Sequence, residues 1–565
     1  MNKVMRNRMV MVVIMFAVCF LIAAGRLFEL QIVHFGFYRD RVEDQRQRVI
    51  TLASPRGDIY DRNGELLATT VDSYSLFVIP REVASGEVAV NFISNQLDLK
   101  KKEVQARLFS NKSFVWLKRK IDDKTAKIIL DQNFKGIHAL KEKKRIYPKG
   151  HLASTVLGFV GMDNQGLAGI ELSYDQYLRG EEGQLLTERD PLGREIVVAS
   201  KKVLAKPSYG MNLKLTLDAT IQYIAESELE KAIQKYSAKS GTIIVMNPQN
   251  GEILAMATKP DFDPQNYSEY PQNTWKTGAV SNVYEPGSTF KVITVAAGLK
   301  EGVIDDKTRL RFLEKILVGG KVIENAHEID KFGQYITVSE MLQESVNTGS
   351  AQIGLLLGEK RFYETIDAFG FGKYTEVGLP GESRGILRHY KRWYKPDIGM
   401  ITFGQGIAVT PLQLSAAVSA LATEGKLMRP QIVSEIESLD GKFLKDFYPE
   451  VVGRPVSAQV AKQVTEMMEN VVINGTGKQA QIKGFKVAAK TGTSQKAATG
   501  RVGYLKDRYI SSFIGFAPVS QPALFVLVMI DDPRGAYWGG TVAGPVFHNV
   551  MEKTLRYLNI PPDDV

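Results

Sequence analysis

Cysteine is almost missing from this chain: Cys19 is the only one among 565 residues, and it lies inside an apolar run near the N-terminus. Everything after it is free of thiols. That excludes a disulfide framework, a cysteine metal site and a thiol nucleophile, and it is compatible with an oxidising compartment. Histidine is scarce as well. His34, His138, His151, His327, His389 and His548 are scattered, with no H-x-x-x-H pair, and His327-Glu328 lacks a second histidine at metalloprotease spacing. Neither a metal, nor a cofactor, nor a Ser-His-Asp triad in its usual form is expected. A phosphate loop is excluded too. Gly475-Thr476-Gly477-Lys478 has Val472 where the upstream glycine belongs and Gln479 where a hydroxyl belongs. Basic and aromatic residues do not interleave in the way that argues for nucleic acid.

The composition, 44% hydrophobic and 24% charged, is that of an ordinary globular protein long enough for two or three domains. The net charge of +10 suits an anionic neighbour such as a membrane surface or a phosphorylated lipid, and equally a merely soluble basic surface. Lys3, Arg6 and Arg8 precede a charge-free run from Met9 to Gly25, and apolar residues continue through Leu30, Ile32 and Val33. A cleaved signal peptide is the rival reading, since Ala23-Ala24-Gly25 offers small residues. The run exceeds a signal core of roughly 7–15 residues, so a membrane helix over 9–33 is expected. Its basic flank places residues 1–8 in the cytoplasm and the rest of the chain outside.

Residues 40–235 read as a mixed α/β support or docking domain without catalytic spacing. Ser54–Gly64 holds an Asn-Gly hairpin turn, Tyr74–Ile79 and Met211–Leu217 look extended, and Val104–Phe109, Asp122–Gln132 and Ile221–Tyr236 look helical. From Ser240 the texture changes. Thr242–Met246 and Glu252–Thr258 form a strand pair, helices follow to about Asn474, and Phe485–Thr493, Tyr509–Ala517 and Ala523–Ile530 are three more strands. A closing amphipathic stretch, Val546–Tyr557, completes an α+β domain over 240–560, with one antiparallel sheet of five strands and helices on both sides. Ser494–Arg508, polar and glycine-bearing, reads as a mobile loop.

Three stretches carry chemistry. Glu285-Pro286-Gly287-Ser288-Thr289-Phe290-Lys291 turns into an apolar run, which reads as the start of a buried helix with Ser288 in its first turn and Lys291 one turn on. A hydroxyl beside an amine that burial holds neutral makes serine nucleophilic without histidine. Ser345-Val346-Asn347 lies between helical segments. Lys490-Thr491-Gly492-Thr493 falls on a strand, where a glycine suggests close approach to the backbone and lysine with two hydroxyls makes a carboxylate site. Each alone is ordinary; the three in this order are not.

S-x-x-K, S-x-N and K-T-G-T together resemble the motif set of the penicillin-binding proteins. The chain resembles their class B, single-pass peptidoglycan D,D-transpeptidases, nearly throughout: the anchor, Pro55–Gly64, Gly166–Gly180, Gly404-Gln405-Gly406 and the three motifs. Valine at the centre of S-x-N departs from class A β-lactamases, which favour aspartate. The division-type subgroup is closer than the elongation-type; a β-lactam hydrolase or sensor of the same fold is the alternative. The resemblance implies that Ser288 attacks a stem peptide with Lys291 as base, that Ser345 and Lys490 pass a proton to the departing D-Ala, and that Asn347, Thr491, Gly492 and Thr493 hold the peptide. Tyr537 and Trp538 line the acceptor side or merely pack a loop. It implies as partners the stem peptide and lipid-linked precursor, β-lactams, the bacterial inner membrane, a polytopic glycan polymerase of the shape, elongation, division and sporulation family, and other division proteins.

Overall fold

The computed structural model describes residues 3–52, 54–83, 86–188, 202–329, 332–438, 443–498 and 503–563. They fall into two compact units, Met1–Pro55 with Gly180–Tyr209, and Arg56–Arg179 with Gly210–Val565. The first unit opens on the helix Lys3–Phe28, which loosens into a wider turn at Glu29–Val33. Together they are long and apolar enough to cross a bilayer. Met11, Phe16 and Phe20 are exposed along it, a surface suited to lipid rather than water. A helix Phe35–Arg46 follows, then a strand Gln47–Leu52 antiparallel to Gly183–Glu188, which in turn pairs with Lys202–Ala205.

In the second unit the long strand Leu66–Val78 pairs antiparallel with Ile137–Ile146 and with Val115–Ile121. Helices Gly86–Leu97, Lys101–Leu108 and Asp123–Leu130 cover one face and bury Leu76, Ile93, Leu108, Leu117 and Ile129 in a core of their own. The other end of Leu66–Val78 pairs with Ile59–Tyr60 across the expected turn, where Gly64 takes φ +83°. Ile59–Tyr60 runs parallel to Asn212–Leu215, which pairs with Val433–Glu437, far along the chain.

A buried ion cluster ties these strands together. Glu171, wholly buried, accepts from Arg56 Nε at 2.5 Å and from Arg145 Nε at 2.7 Å. Burial alone would raise the Glu171 carboxyl; the two guanidiniums reverse this and hold it below its usual value. Arg145 also donates to the Gly57 carbonyl at 2.7 Å, and Arg56 Nη1 reaches Asp175 at 2.5 Å. The stretches Pro55–Gly64 and Gly166–Gly180 therefore meet here, as the two sides of one internal ion cluster.

The five expected strands are all present as one antiparallel sheet: β1 (Ser240–Met246), β2 (Ile253–Lys259), β3 (Ala488–Ala497), β4 (Tyr504–Ala517) and β5 (Leu524–Asp531), in spatial order β2-β1-β5-β4-β3. Side chains alternate between its faces. Ile243, Val245, Val526 and Val528 pack with Leu229 of helix Ala219–Lys235 and with Phe547 and Met551 of helix Gly544–Tyr557. Ile244, Met246 and Leu527 share the opposite core with Ile293 and Val295 of the helix Lys291–Lys300. The expected loop Ser494–Arg508 is mostly strand: β3 runs on to Ala497, whose partner is Tyr504, and residues 499–502 lie outside the described residues. The hairpin outruns the core, so its residues are polar without being a loop.

Candidate active site

The S-x-x-K motif folds as a 3₁₀ turn, Gly287–Phe290, leading directly into the helix Lys291–Lys300. Ser288 therefore precedes the helix proper by one tight turn instead of sitting in its first turn. Two glycines make the turn possible. Gly287 takes φ +59°, and Gly404, at φ +76°, lies so close behind it that a β-carbon there would stand 2.3 Å from the Gly287 carbonyl oxygen. Gly287 N–H donates to the Gly404 carbonyl at 3.2 Å. On the next residue but one, Gly406 N–H donates to Glu285 Oε1 at 2.8 Å.

The Lys291 side chain is wholly buried and its amine meets all the other members of the first two motifs: Ser288 Oγ at 3.1 Å, Ser345 Oγ at 3.0 Å and Asn347 Oδ1 at 2.8 Å. Burial, and secondarily the charge of Lys490, hold this amine well below its usual value. Ser345 stands between the helices Val338–Gln343 and Asn347–Leu357 with φ +58°. For a serine that backbone costs about 1–2 kcal/mol. In return its carbonyl and hydroxyl oxygens both face the Lys291 amine. Asn347 is held from its other side, since Nδ2 donates to the Glu324 carbonyl at 2.9 Å.

Strand β3 brings the third motif. Lys490, also wholly buried, donates to Ser345 Oγ at 3.0 Å and to the Thr491 carbonyl at 3.1 Å. Burial pushes its amine down to about 7, although the nearby Glu344 works the other way. The hydroxyl of Ser345 thus lies between two lysines that burial drives towards neutrality. Thr493 Oγ1 accepts from Gly539 N–H at 2.9 Å. Gly492 is needed because the turn Gly287–Phe290 and strand β4 press on it: a β-carbon would meet Ser512 Oγ at 2.3 Å and Thr289 Cγ2 at 2.7 Å. The close approach expected at this glycine is made by the protein itself.

Ser288, Asn347, Thr493, Tyr537 and Trp538 line one cavity of about 260 Å³. Lys291, Ser345, Lys490, Thr491 and Gly492 lie behind that wall. Tyr537 stacks on Tyr509 at 4.3 Å, and Trp538 stands edge-on to His327 at 5.9 Å, so the aromatic pair is both a cavity wall and a packed loop. Gln405, Gln495 and Tyr509 also line the cavity and were not singled out as site residues from the sequence. Thr476 is a further addition. Its hydroxyl lies 3.0 Å from that of Thr491, so the stretch that fails as a phosphate loop serves to orient a motif threonine.

Residues 241–552 match the profile of the penicillin binding protein transpeptidase domain, and residues 51–215 that of the penicillin-binding protein dimerisation domain. Stage V sporulation protein D of Bacillus subtilis is 36% identical over 99% of this chain and 87% of its own length. Peptidoglycan D,D-transpeptidase FtsI of Escherichia coli is 32% identical over 97% of this chain and 91% of its own. Among solved structures, penicillin binding protein 3 of Mycobacterium tuberculosis complexed with aztreonam superposes with a TM-score of 0.70 at 26% identity, covering 91% of this chain and 98% of that one.

Proposed function

This chain belongs to the class B penicillin-binding proteins, serine-type peptidoglycan D,D-transpeptidases, and on that premise we propose that Ser288 is its nucleophile and Lys291 the base that activates it. The observation carrying this is the Lys291 amine, buried, depressed in basicity and 3.1 Å from the Ser288 hydroxyl. Ser288 attacks the carbonyl of the penultimate D-Ala of a stem peptide, and Lys291 accepts the hydroxyl proton. Backbone N–H groups of Ser288 and Thr493 receive the oxyanion. Ser345 and Lys490 then deliver a proton to the departing D-Ala, a role suited to a hydroxyl bonded to both lysines. Asn347 aligns the peptide, and Thr491 with Thr493 binds its terminal carboxylate. Tyr537 and Trp538 wall the acceptor side, from which the amine of a second stem peptide resolves the acyl-enzyme.

The family acts on stem peptides and is acylated by β-lactams at the same serine. For this chain we place the work at the septum, with residues 1–8 in the cytoplasm, a membrane helix at 9–33, a docking domain at 40–235 and the catalytic domain at 240–560 outside the membrane. The relatives' names, FtsI and a sporulation protein, support a division-type role. The partner expected beside it is a polytopic glycan polymerase of the shape, elongation, division and sporulation family. Acylation by a labelled penicillin, followed over time for release, tests the chemistry. A stable adduct on Ser288 is expected; rapid turnover of the adduct would make the protein a hydrolase instead.

A further inference from the structure

Between Asp98 and Ile146 fifteen lysines and arginines stand against six acidic residues, so this short stretch carries +9 of the chain's +10. Part of that excess lines one cleft of about 430 Å³, bounded by Lys118–Asp122, by Lys144 and Arg145, and by the turn Pro264–Tyr267. Asp122 is the one carboxylate on its lining, and it is engaged in capping the helix Asp123–Leu130 through Thr125 N–H at 2.8 Å. Arg119 is neutralised by Glu142 and Asp163. Lys118, Lys120 and Lys144 have no carboxylate partner among the described residues. Lys118 donates to the Leu97 carbonyl at 2.7 Å and Lys120 to Asn164 Oδ1 at 2.6 Å, both uncharged acceptors. Arg145, only 2% exposed, spends Nε and Nη1 on Glu171 and Gly57, which leaves its Nη2 without an acceptor among the described residues.

Lys120 reaches the cleft through a distortion of its strand. Ile121 pairs with Tyr74 and Lys118 with Leu76, so that Arg119 and Lys120 together oppose Ser75. The extra residue is Lys120, at φ +55°, with its N–H held by Ser75 Oγ at 3.0 Å. A bulge re-aims a side chain, and a lysine in the left-handed region persists only where its surroundings impose it. The amine so placed is half-buried and pushed down to about 8, first by burial, with Arg119 and Lys144 adding like charge against the opposing pull of Glu142 and Asp163.

The geometry points to an anion site in this cleft, one that takes a phosphoryl group, with Lys120, Lys144 and the Nη2 of Arg145 as donors. Two lysines without carboxylate partners, beside a guanidinium with its Nη2 unspent, exceed what a single carboxylate neutralises, whereas a phosphoryl group carries up to two charges and several acceptor oxygens. The cleft is several times larger than one such group. Its ligand is therefore a phosphoryl group on a larger molecule: a diphosphate, or the headgroup of an anionic lipid.

The test uses the full chain in nanodiscs of phosphatidylcholine. One arm adds inorganic pyrophosphate; the other replaces a third of the lipid with phosphatidylglycerol. Acetylation of the Lys120 amine, read by peptide mass spectrometry, should slow at least fivefold on occupancy. Pyrophosphate should bind at least tenfold more weakly to the double variant Lys120→Gln, Lys144→Gln, while that variant keeps the parental rate of acylation by labelled penicillin and so proves folded. Protection by pyrophosphate assigns the site to a diphosphate, and protection by phosphatidylglycerol alone assigns it to a lipid headgroup. No protection in either arm, or equal affinity of parent and variant for the ligand that protects, overturns the site.

Discussion

Lys291 holds its amine 3.1 Å from the hydroxyl of Ser288, and among the described residues no carboxylate pairs with it. A structural lysine buried this deeply needs a counter-ion; a base does not. Ser288→Ala should abolish acylation by a labelled penicillin. Lys291→Arg should lower its rate by at least about 100-fold, because arginine keeps the charge and cannot give it up. A rate within about tenfold of the parent, roughly 1.4 kcal/mol of barrier, would remove Lys291 from the mechanism.

The two lysines also set a pH dependence. An unfolded chain keeps both amines protonated to about pH 10.4. The folded chain releases the Lys490 proton at about 7, and Lys291 is depressed in the same direction. Above about pH 7 the unfolded state therefore binds more protons, and stability from these groups rises with pH and is lost as pH falls. Thermal unfolding of the parent should gain more between pH 7 and 9 than that of Lys490→Met. Equal gains would mean that Lys490 stays charged in the fold.

Gly404 supports the turn that carries Ser288 from behind. In Gly404→Ala the new methyl meets the Gly287 backbone at 2.3 Å, and the residue's φ of +76° disfavours alanine besides. The expected cost is about 1–3 kcal/mol of stability, with a large fall in acylation rate as Ser288 is displaced. An alanine variant acylated at the parental rate would show that the turn is not held by this contact.

Glu171 offers the contrasting case, a buried charge with no share in the chemistry. Glu171→Ala strands two guanidiniums, and removal of one partner from a buried ion cluster costs about 3–5 kcal/mol. Calorimetry should show an early transition, while protein that remains folded is acylated normally. A loss below about 1 kcal/mol would mean that water replaces the carboxylate.

The division of labour is open to truncation. A chain lacking residues 1–35 should remain soluble and be acylated in solution, since the residues that line the cavity all lie at or beyond Gly287. Loss of acylation in a folded truncation would assign the membrane segment a part in catalysis.

The five-stranded sheet was legible because its core strands are apolar runs bounded by turn residues, as at Thr242–Met246 and Ala523–Ile530. The motif serines and lysines were legible as spacings, and the structure gathers them around one amine. What stayed hidden is what local pattern does not encode. The partner of Asn212–Leu215 lies more than 200 residues away at Val433–Glu437. The outer half of the β3–β4 hairpin faces solvent, so it carries no apolar alternation to mark it as strand. The left-handed backbone of Ser345 has no signature either, since nothing in Glu344-Ser345-Val346 distinguishes a strained serine from a cap.

That distant pairing also orders events in time. Asn212–Leu215 offers one edge to Ile59–Tyr60 as soon as both exist, but its other edge waits for Val433–Glu437. During synthesis, at about 5–20 residues per second, the open edge stays bare for roughly 10–40 seconds. Folding of the N-terminal sheet is thus completed only after the helix Lys291–Lys300 has emerged, and a chain stalled before residue 433 presents an unpaired strand to its neighbours.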